Sequence, residues 1–148
     1  MFTGEYVLTI DGKGRISIPG PFRGILERQP PASLIVTRDS GDCLSAYPVE
    51  EWRTLGEKVK GLLYMQQREV RDCLRFLYSN AVECLLDRQG RILIPPSLRE
   101  YATLAKETIL IGLDKKIEIW DAERWRRKKE VLAQHDGAIR DALAGLGF

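Results

Sequence analysis

Two short segments carry the residue types most able to do chemistry in this chain. Asp11-Gly12-Lys13-Gly14-Arg15-Ile16-Ser17-Ile18-Pro19 returns 76 positions later as Asp87-Arg88-Gln89-Gly90-Arg91-Ile92-Leu93-Ile94-Pro95, with six of nine residues identical. An Asp at the end of a strand accepts backbone N–H bonds in an Asx-type turn, and a Gly three positions on tolerates φ > 0, so the chain can reverse tightly. The Arg then starts the next strand. An Arg held on a rigid turn suits bidentate recognition of a phosphate or a guanine edge. A second reading stands beside this one: Asp11 and Arg15, or Asp87 and Arg91, bond each other and simply lock the turn. Spacing alone favours the lock, and the duplication establishes only that the unit is a fold module.

The elements that must position these turns follow from the same repeat. Tyr6-Val7-Leu8-Thr9-Ile10 faces Val82-Glu83-Cys84-Leu85-Leu86, Phe22-Arg23 faces Leu98-Arg99, and Leu34-Ile35-Val36 faces Ile109-Leu110-Ile111. Leu44-Ser45-Ala46-Tyr47 then faces Ile117-Glu118-Ile119-Trp120, and Trp52 faces Trp125. Short apolar runs between turn signals predict a strand, the Asp-x-x-Gly turn, a strand, a Pro that opens a helical turn, and two further strands. In the second strand Ile16 and Ile18, like Ile92 and Ile94, share the face opposite the Arg by period two.

Two segments lie outside the repeat. From Val49 to about Ser79, Leu55, Val59, Leu62, Leu63, Val70, Cys73, Leu74 and Leu77 recur at helical spacing, with a break expected near Gly61 that makes a helical hairpin. Ala122 to Leu143 reads as one amphipathic helix that carries Arg124, Arg126, Arg127, Lys128 and Lys129, followed by a fraying tail. The organisation expected is therefore a first module over 5–52, a helical connector over 53–80, a second module over 81–124 and a C-terminal helix and tail over 125–148.

Composition bounds the function. The 148 residues are 44% hydrophobic and 30% charged, and 23 Lys and Arg against 21 Asp and Glu leave a formal charge of +2. This suits a soluble globular chain and argues against disorder or a fibre. Residues 1–76 carry 11 basic and 10 acidic side chains and residues 77–148 carry 12 and 11, so neither half is a charged tail. Any polyanion must be met by a local patch. Cys43, Cys73 and Cys84 with the single His135 lack zinc-ligand spacing, and read as reduced, mostly buried thiols. Neither a signal peptide nor a run of about 20 apolar residues is present, so the expected location is cytoplasmic.

Competing sites are weaker. The Arg124–Lys129 cluster is either a DNA-contacting helix or, the reading preferred here, a solvated face bordered by Glu123 and Glu130. Trp52, Trp125, Tyr47 and Trp120 read as core or interface anchors rather than stacking platforms for bases. No G-x-S-x-G, P-loop, H-E-x-x-H or acidic pair with a credible role occurs, so the chain reads as a non-enzyme with no cofactor, no metal and no catalytic residue.

From Met1-Phe2-Thr3-Gly4 through the two Asp-x-x-Gly-Arg-Ile-x-Ile-Pro segments, Tyr47-Pro48 and Ile117-Glu118-Ile119-Trp120, the chain resembles the MraZ family over nearly its whole length. The resemblance implies an α+β, β-rich fold: a pseudo-twofold double-split β-barrel of two tandem AbrB-like swapped-hairpin modules. It also implies a nucleoid-associated, DNA-binding transcriptional regulator, usually a repressor, that binds direct repeats upstream of the division and cell-wall gene cluster containing its own gene. Members form octameric or dodecameric rings, which would multiply a few weak contacts through effective concentration. Carried onto this sequence, the motif points to Lys13, Arg15 and Arg91 as DNA contacts, with Arg88 standing where the first motif has Gly12. Asp11, Gly14, Asp87 and Gly90 would structure the turns. The alternative is an AbrB-like scaffold or antitoxin-type module that binds a protein partner.

Overall fold

The computed structural model describes residues 1–62 and 66–148, so the expectation placed on Leu63 lies outside the described residues. The first half runs β1 (Glu5–Thr9), β2 (Arg15–Ser17), α1 (Gly20–Glu27), β3 (Ser33–Arg38) and β4 (Leu44–Pro48), and continues into α2 (Val49–Lys60) and α3 (Gln67–Ser79). The second half repeats the order with β5 (Val82–Leu85), β6 (Arg91–Leu93), α4 (Pro96–Tyr101), β7 (Glu107–Leu113) and β8 (Lys116–Asp121), followed by α5 (Ala122–Gln134) and α6 (Asp136–Ala144). The fold is α+β and β-rich.

The halves interlock. Six strands pair in the order β1-β7-β8-β4-β3-β5, and β2 pairs with β6 in a separate two-stranded ribbon. Every pairing is antiparallel. Exchanging each strand with its counterpart in the other half reverses the six-strand order and leaves it unchanged, which is a pseudo-twofold arrangement with its axis between β4 and β8. The first strand of each half thus pairs with the third strand of the other: Tyr6 lies opposite Leu110, and Val82 opposite Val36. Among the described residues these pairings form an open sheet and a ribbon, not a closed barrel.

Registers correct one expectation. Val36 lies opposite Ala46, and Leu110 opposite Ile119. Since Ala46 and Ile119 are counterparts, Val36 corresponds to Leu110 and not to Ile111, one residue away from the correspondence read from sequence. Leu34-Ile35-Val36 and Ile109-Leu110-Ile111 are both continuous apolar runs, so no alternation marked which residues face inward.

One large core joins both halves, beside a smaller cluster of Cys43, Ile109 and Trp120. Ile16, Ile18, Phe22, Leu34 and Val36 from the first pack in one cluster with Ile92, Ile94, Leu98, Leu110, Ile117 and Ile119 from the second. Phe2 closes it near the amino end: it is 2% exposed, meets the Phe22 ring edge-on at 5.2 Å, and exchanges two backbone hydrogen bonds with Asp114. The counterpart pairs Tyr47/Trp52 and Trp120/Trp125 pack as tilted rings with centroids 5.7 and 5.4 Å apart, each seating the first turn of a helix on the strand before it. Because α2 starts at Val49 and α5 at Ala122, the limits 52/53 and 124/125 fall inside continuous helices.

The connector is helical on both sides of Gly61, which caps α2, and Tyr78 of α3 reaches the buried Gly56 of α2. The C-terminal region differs from expectation: it is two helices, broken at His135 (φ −102°, ψ 14°) where the weak helix formers Asp136 and Gly137 follow. Its apolar residues Val131, Leu132 and Ile139 are exposed, so the face read as amphipathic is not docked on this chain.

Candidate nucleic-acid interface

Both Asp-x-x-Gly-Arg turns fold by one local plan. Asp11 Oδ1 accepts from the backbone N–H groups of Lys13 and Arg15, each at 2.9 Å, while its Oδ2 accepts from Arg15 Nε at 2.6 Å. Asp87 Oδ1 accepts from the N–H groups of Gln89 and Arg91 at 2.9 Å, and its Oδ2 accepts from Arg91 Nε at 2.8 Å. Gly14 and Gly90 close the turns at φ 91° and 74° by donating to the Asp carbonyls at 3.0 Å. The backbone N–H of Arg15, followed by the Arg15 side chain and the Lys13 N–H, holds the Asp11 carboxyl down at about 2. Asp87 is lowered by the matching bonds from Arg91 and Gln89. Both carboxylates therefore stay charged and fix their arginines, as the turn-lock reading requires. Only Nε is used in each case, and among the described residues the terminal guanidinium nitrogens have no protein partner.

The ribbon sets where these arginines point. Arg15 lies opposite Leu93, Ile16 opposite Ile92 and Ser17 opposite Arg91. Ile16 and Ile92 are buried, at 0% and 1% exposure, so the alternate residues Arg15, Ser17, Arg91 and Leu93 share the outward face. Arg15 and Arg91 are diagonal neighbours there, at a Cα spacing of roughly 7–8 Å. Lys13 and Arg88 lie in the exposed turns at the two ends of the ribbon.

Two further cations were not singled out from sequence. Arg99 of α4 lies over Gly14, where a Cβ would stand 2.7 Å from its Cζ, and Arg23 of α1 lies in the same way against Gly90. Each turn is thus covered by the helix of the opposite half. Arg99 also lines an open depression of about 490 Å³ with Asp11, Gly12 and Lys106. Among the described residues neither Arg23 nor Arg99 forms an ion pair, in contrast to Arg15 and Arg91. Their equivalence in the repeat was the available signal, but it did not say which turn either would reach.

Other charged clusters are more self-contained. In α5, Arg126 pairs with Glu123, Lys129 with Glu5 at 3.0 Å, and Arg124 donates to the Asp42 carbonyl at 3.0 Å. Glu5, rather than Glu130, supplies the second acidic partner. The ligand atoms of Asp39, Cys43 and Glu118 lie within 4.8 Å of one another, but Lys116 Nζ stands 2.9 Å from Asp39 Oδ2 and 3.8 Å from Glu118 Oε1, supplying the positive charge there itself. Burial raises the Asp39 pKa, yet hydrogen bonds from Ser45 and Lys116 prevail and hold it low. Burial, reinforced by Glu118, pushes the Cys43 thiol far up, which suits a neutral core group better than a metal ligand. Burial likewise raises Cys84 to about 11.

The fold and site define a class: a tandem-repeat α+β chain whose interlocked halves present two aspartate-locked arginine turns on one ribbon. The chain belongs to the MraZ family, whose model, described as "MraZ protein, putative antitoxin-like", matches residues 1–73 and 77–141. Similar proteins include the transcriptional regulator MraZ of Desulfitobacterium hafniense (strain DSM 10664 / DCB-2), 42% identical over 148 residues and all of both chains. That of Limosilactobacillus reuteri (strain DSM 20016) is 46% identical over 143 residues, 97% of each chain. That of Pelotomaculum thermopropionicum is 41% identical over 148 residues, covering 100% of this chain and 99% of its own.

Proposed function

We propose that this chain is a transcriptional regulator that binds double-stranded DNA through the outward face of the β2–β6 ribbon and the turns at its ends. The observation that carries this reading is the placement of Arg15 and Arg91 as diagonal neighbours on one outward face, each steered by its own aspartate and each with terminal nitrogens that have no protein partner among the described residues. A two-stranded ribbon is narrow enough to enter a major groove about 12 Å wide. Lys13 and Arg88 extend the cationic surface at the turns, and Arg23 and Arg99, which form no ion pair among the described residues, add further charge. Family membership supports the same reading, since the relatives are named transcriptional regulators.

The finer points rest on the family resemblance. We infer a cytoplasmic, nucleoid-associated repressor that binds direct repeats upstream of the division and cell-wall gene cluster including its own gene. It acts as an octameric or dodecameric ring that repeats a small patch many times. We also take the sheet and ribbon as the two parts of a double-split β-barrel built from modules over 5–52 and 81–124. Binding wild type, Arg15→Ala and Arg91→Ala to a direct-repeat promoter fragment across a salt series tests the interface. Each lost phosphate contact lowers the slope of log K against log salt by about 0.9. Equal binding by all three proteins, or binding by none, rejects the reading, and a monomeric mass in solution rejects the ring.

A second reading, a scaffold or antitoxin-type module that binds a protein, is favoured by α3. Its apolar residues Val70, Cys73, Leu74 and Leu77 are only half-covered, and Phe76 is 48% exposed. Partner capture that survives in Arg15→Ala and is lost on polar substitution of α3 would support it.

A further inference from the structure

Ser17 and Leu93 hold the same place in the two halves of the ribbon, yet one offers a hydroxyl and the other an isobutyl group. Ser17 lies opposite Arg91 and Leu93 opposite Arg15, so each outward arginine has a different neighbour. Leu93 is 55% exposed, whereas the adjacent Ile92 and Ile94 are at 1% and 0%. The core is filled from the other face of the ribbon, and Leu93 adds nothing to it. An apolar side chain held in the open between cationic groups is suited to an apolar feature of a polyanion, and the thymine methyl is the one that a DNA groove displays.

We propose that Ser17 and Leu93 are specificity-determining residues: Leu93 packs against a thymine methyl beside the contact of Arg15, and Ser17 hydrogen-bonds a base edge beside the contact of Arg91. The proposal rests on the DNA-binding reading above. It has a consequence for the form of the site. A pseudo-twofold ribbon with identical residues in both halves would present the same contacts twice and select a palindrome. Ser17 against Leu93 breaks that equivalence, as do Gly12 against Arg88 and Lys13 against Gln89 in the turns. The two ends of the ribbon therefore make different contacts, and one chain reads an oriented element.

The test is selection from a random-sequence duplex pool by wild type, Leu93→Ser and Ser17→Leu, followed by replacing each thymidine of the wild-type motif with deoxyuridine in turn. Both positions are exposed, and unchanged melting temperatures establish that the variants are folded. Wild type is expected to select a non-palindromic motif in which one deoxyuridine costs about fourfold in affinity, the worth of one buried methyl group. Leu93→Ser loses that sensitivity, and Ser17→Leu changes the base preferred at a different position. A palindromic wild-type motif, variants that select the wild-type motif, or equal deoxyuridine sensitivity in wild type and Leu93→Ser would each overturn the assignment while leaving DNA binding intact. A wild type that binds no duplex removes the DNA-binding reading itself, and this proposal with it.

Discussion

Arg99 lies across Gly14, so that the turn of one half of the chain is roofed by a helix of the other. A Cβ at Gly14 would stand 2.7 Å from the Arg99 Cζ and 2.9 Å from the Ile94 carbonyl, and the backbone there has φ 91°. The side chain could yield; the carbonyl, which accepts no such contact without moving β6, could not. Gly14→Ala is expected to destabilise the protein by about 1–3 kcal/mol, the range for a residue forced into a sparsely populated backbone region. Denaturant unfolding measures it, and an exposed glycine without neighbours, such as Gly12, is the control.

Acid should loosen both turns. The Asp11 pKa of about 2 lies below the usual aspartate value, and Asp87 is shifted the same way, so the folded chain binds fewer protons than the unfolded one. Their contribution is fully present above the unfolded aspartate value near pH 4 and is lost as pH falls through it towards 2. An Asp11→Asn/Asp87→Asn variant is expected to show a smaller loss of melting temperature between pH 4.5 and pH 2 than wild type. A parallel pH profile in the two proteins would contradict the lock.

The two halves should unfold together. Trp52 packs against the first half and Trp125 against the second, yet Ile16, Ile18, Ile92 and Ile94 belong to one cluster. Fluorescence of a Trp120→Phe/Trp125→Phe variant, which keeps only Trp52, and of Trp52→Phe, which keeps Trp120 and Trp125, is expected to report coincident transitions in denaturant. Ile92→Ala, at a site 1% exposed, should lower the stability seen by both reporters by about 2–5 kcal/mol. Separate midpoints would mean two independent cores.

Neutralising the cations of α5 should matter little for duplex affinity. Arg126 and Lys129 already face carboxylates, and Arg124 is held by backbone carbonyls. Arg126→Gln/Lys129→Gln is expected to bind the promoter fragment within about twofold of wild type at a fixed, moderate salt concentration, whereas Arg15→Ala is not. A larger loss in the α5 variant than in Arg15→Ala would move the interface to that helix.

How much of this was legible varied with the kind of signal. The turns were readable because Asp, Gly and Arg act on neighbours within four residues, and the buried Ile16 and Ile92 because a two-residue period states which face they take. Continuous apolar runs carry no such marker, and the third strand was accordingly displaced by one residue. Apolar spacing persists across His135-Asp136-Gly137 and predicts a single C-terminal helix, although the backbone breaks there.

What is local and what is repeated can be read along the chain: two modules of the same order, two Asp-x-x-Gly-Arg turns, and helices between and after them. Which half supplies which part of the site is set by long-range strand pairing. Pairing of β1 with β7, of β5 with β3 and of β2 with β6 joins residues about 100, about 50 and about 76 positions apart respectively, and nothing near either end of such a contact encodes its partner. That exchange brings Arg99 to Gly14, Arg23 to Gly90, and Leu93 and Ser17 onto one face with the two arginines. A motif specifies the chemistry it carries along the chain, whereas the burial of one shared core specifies the company that it keeps.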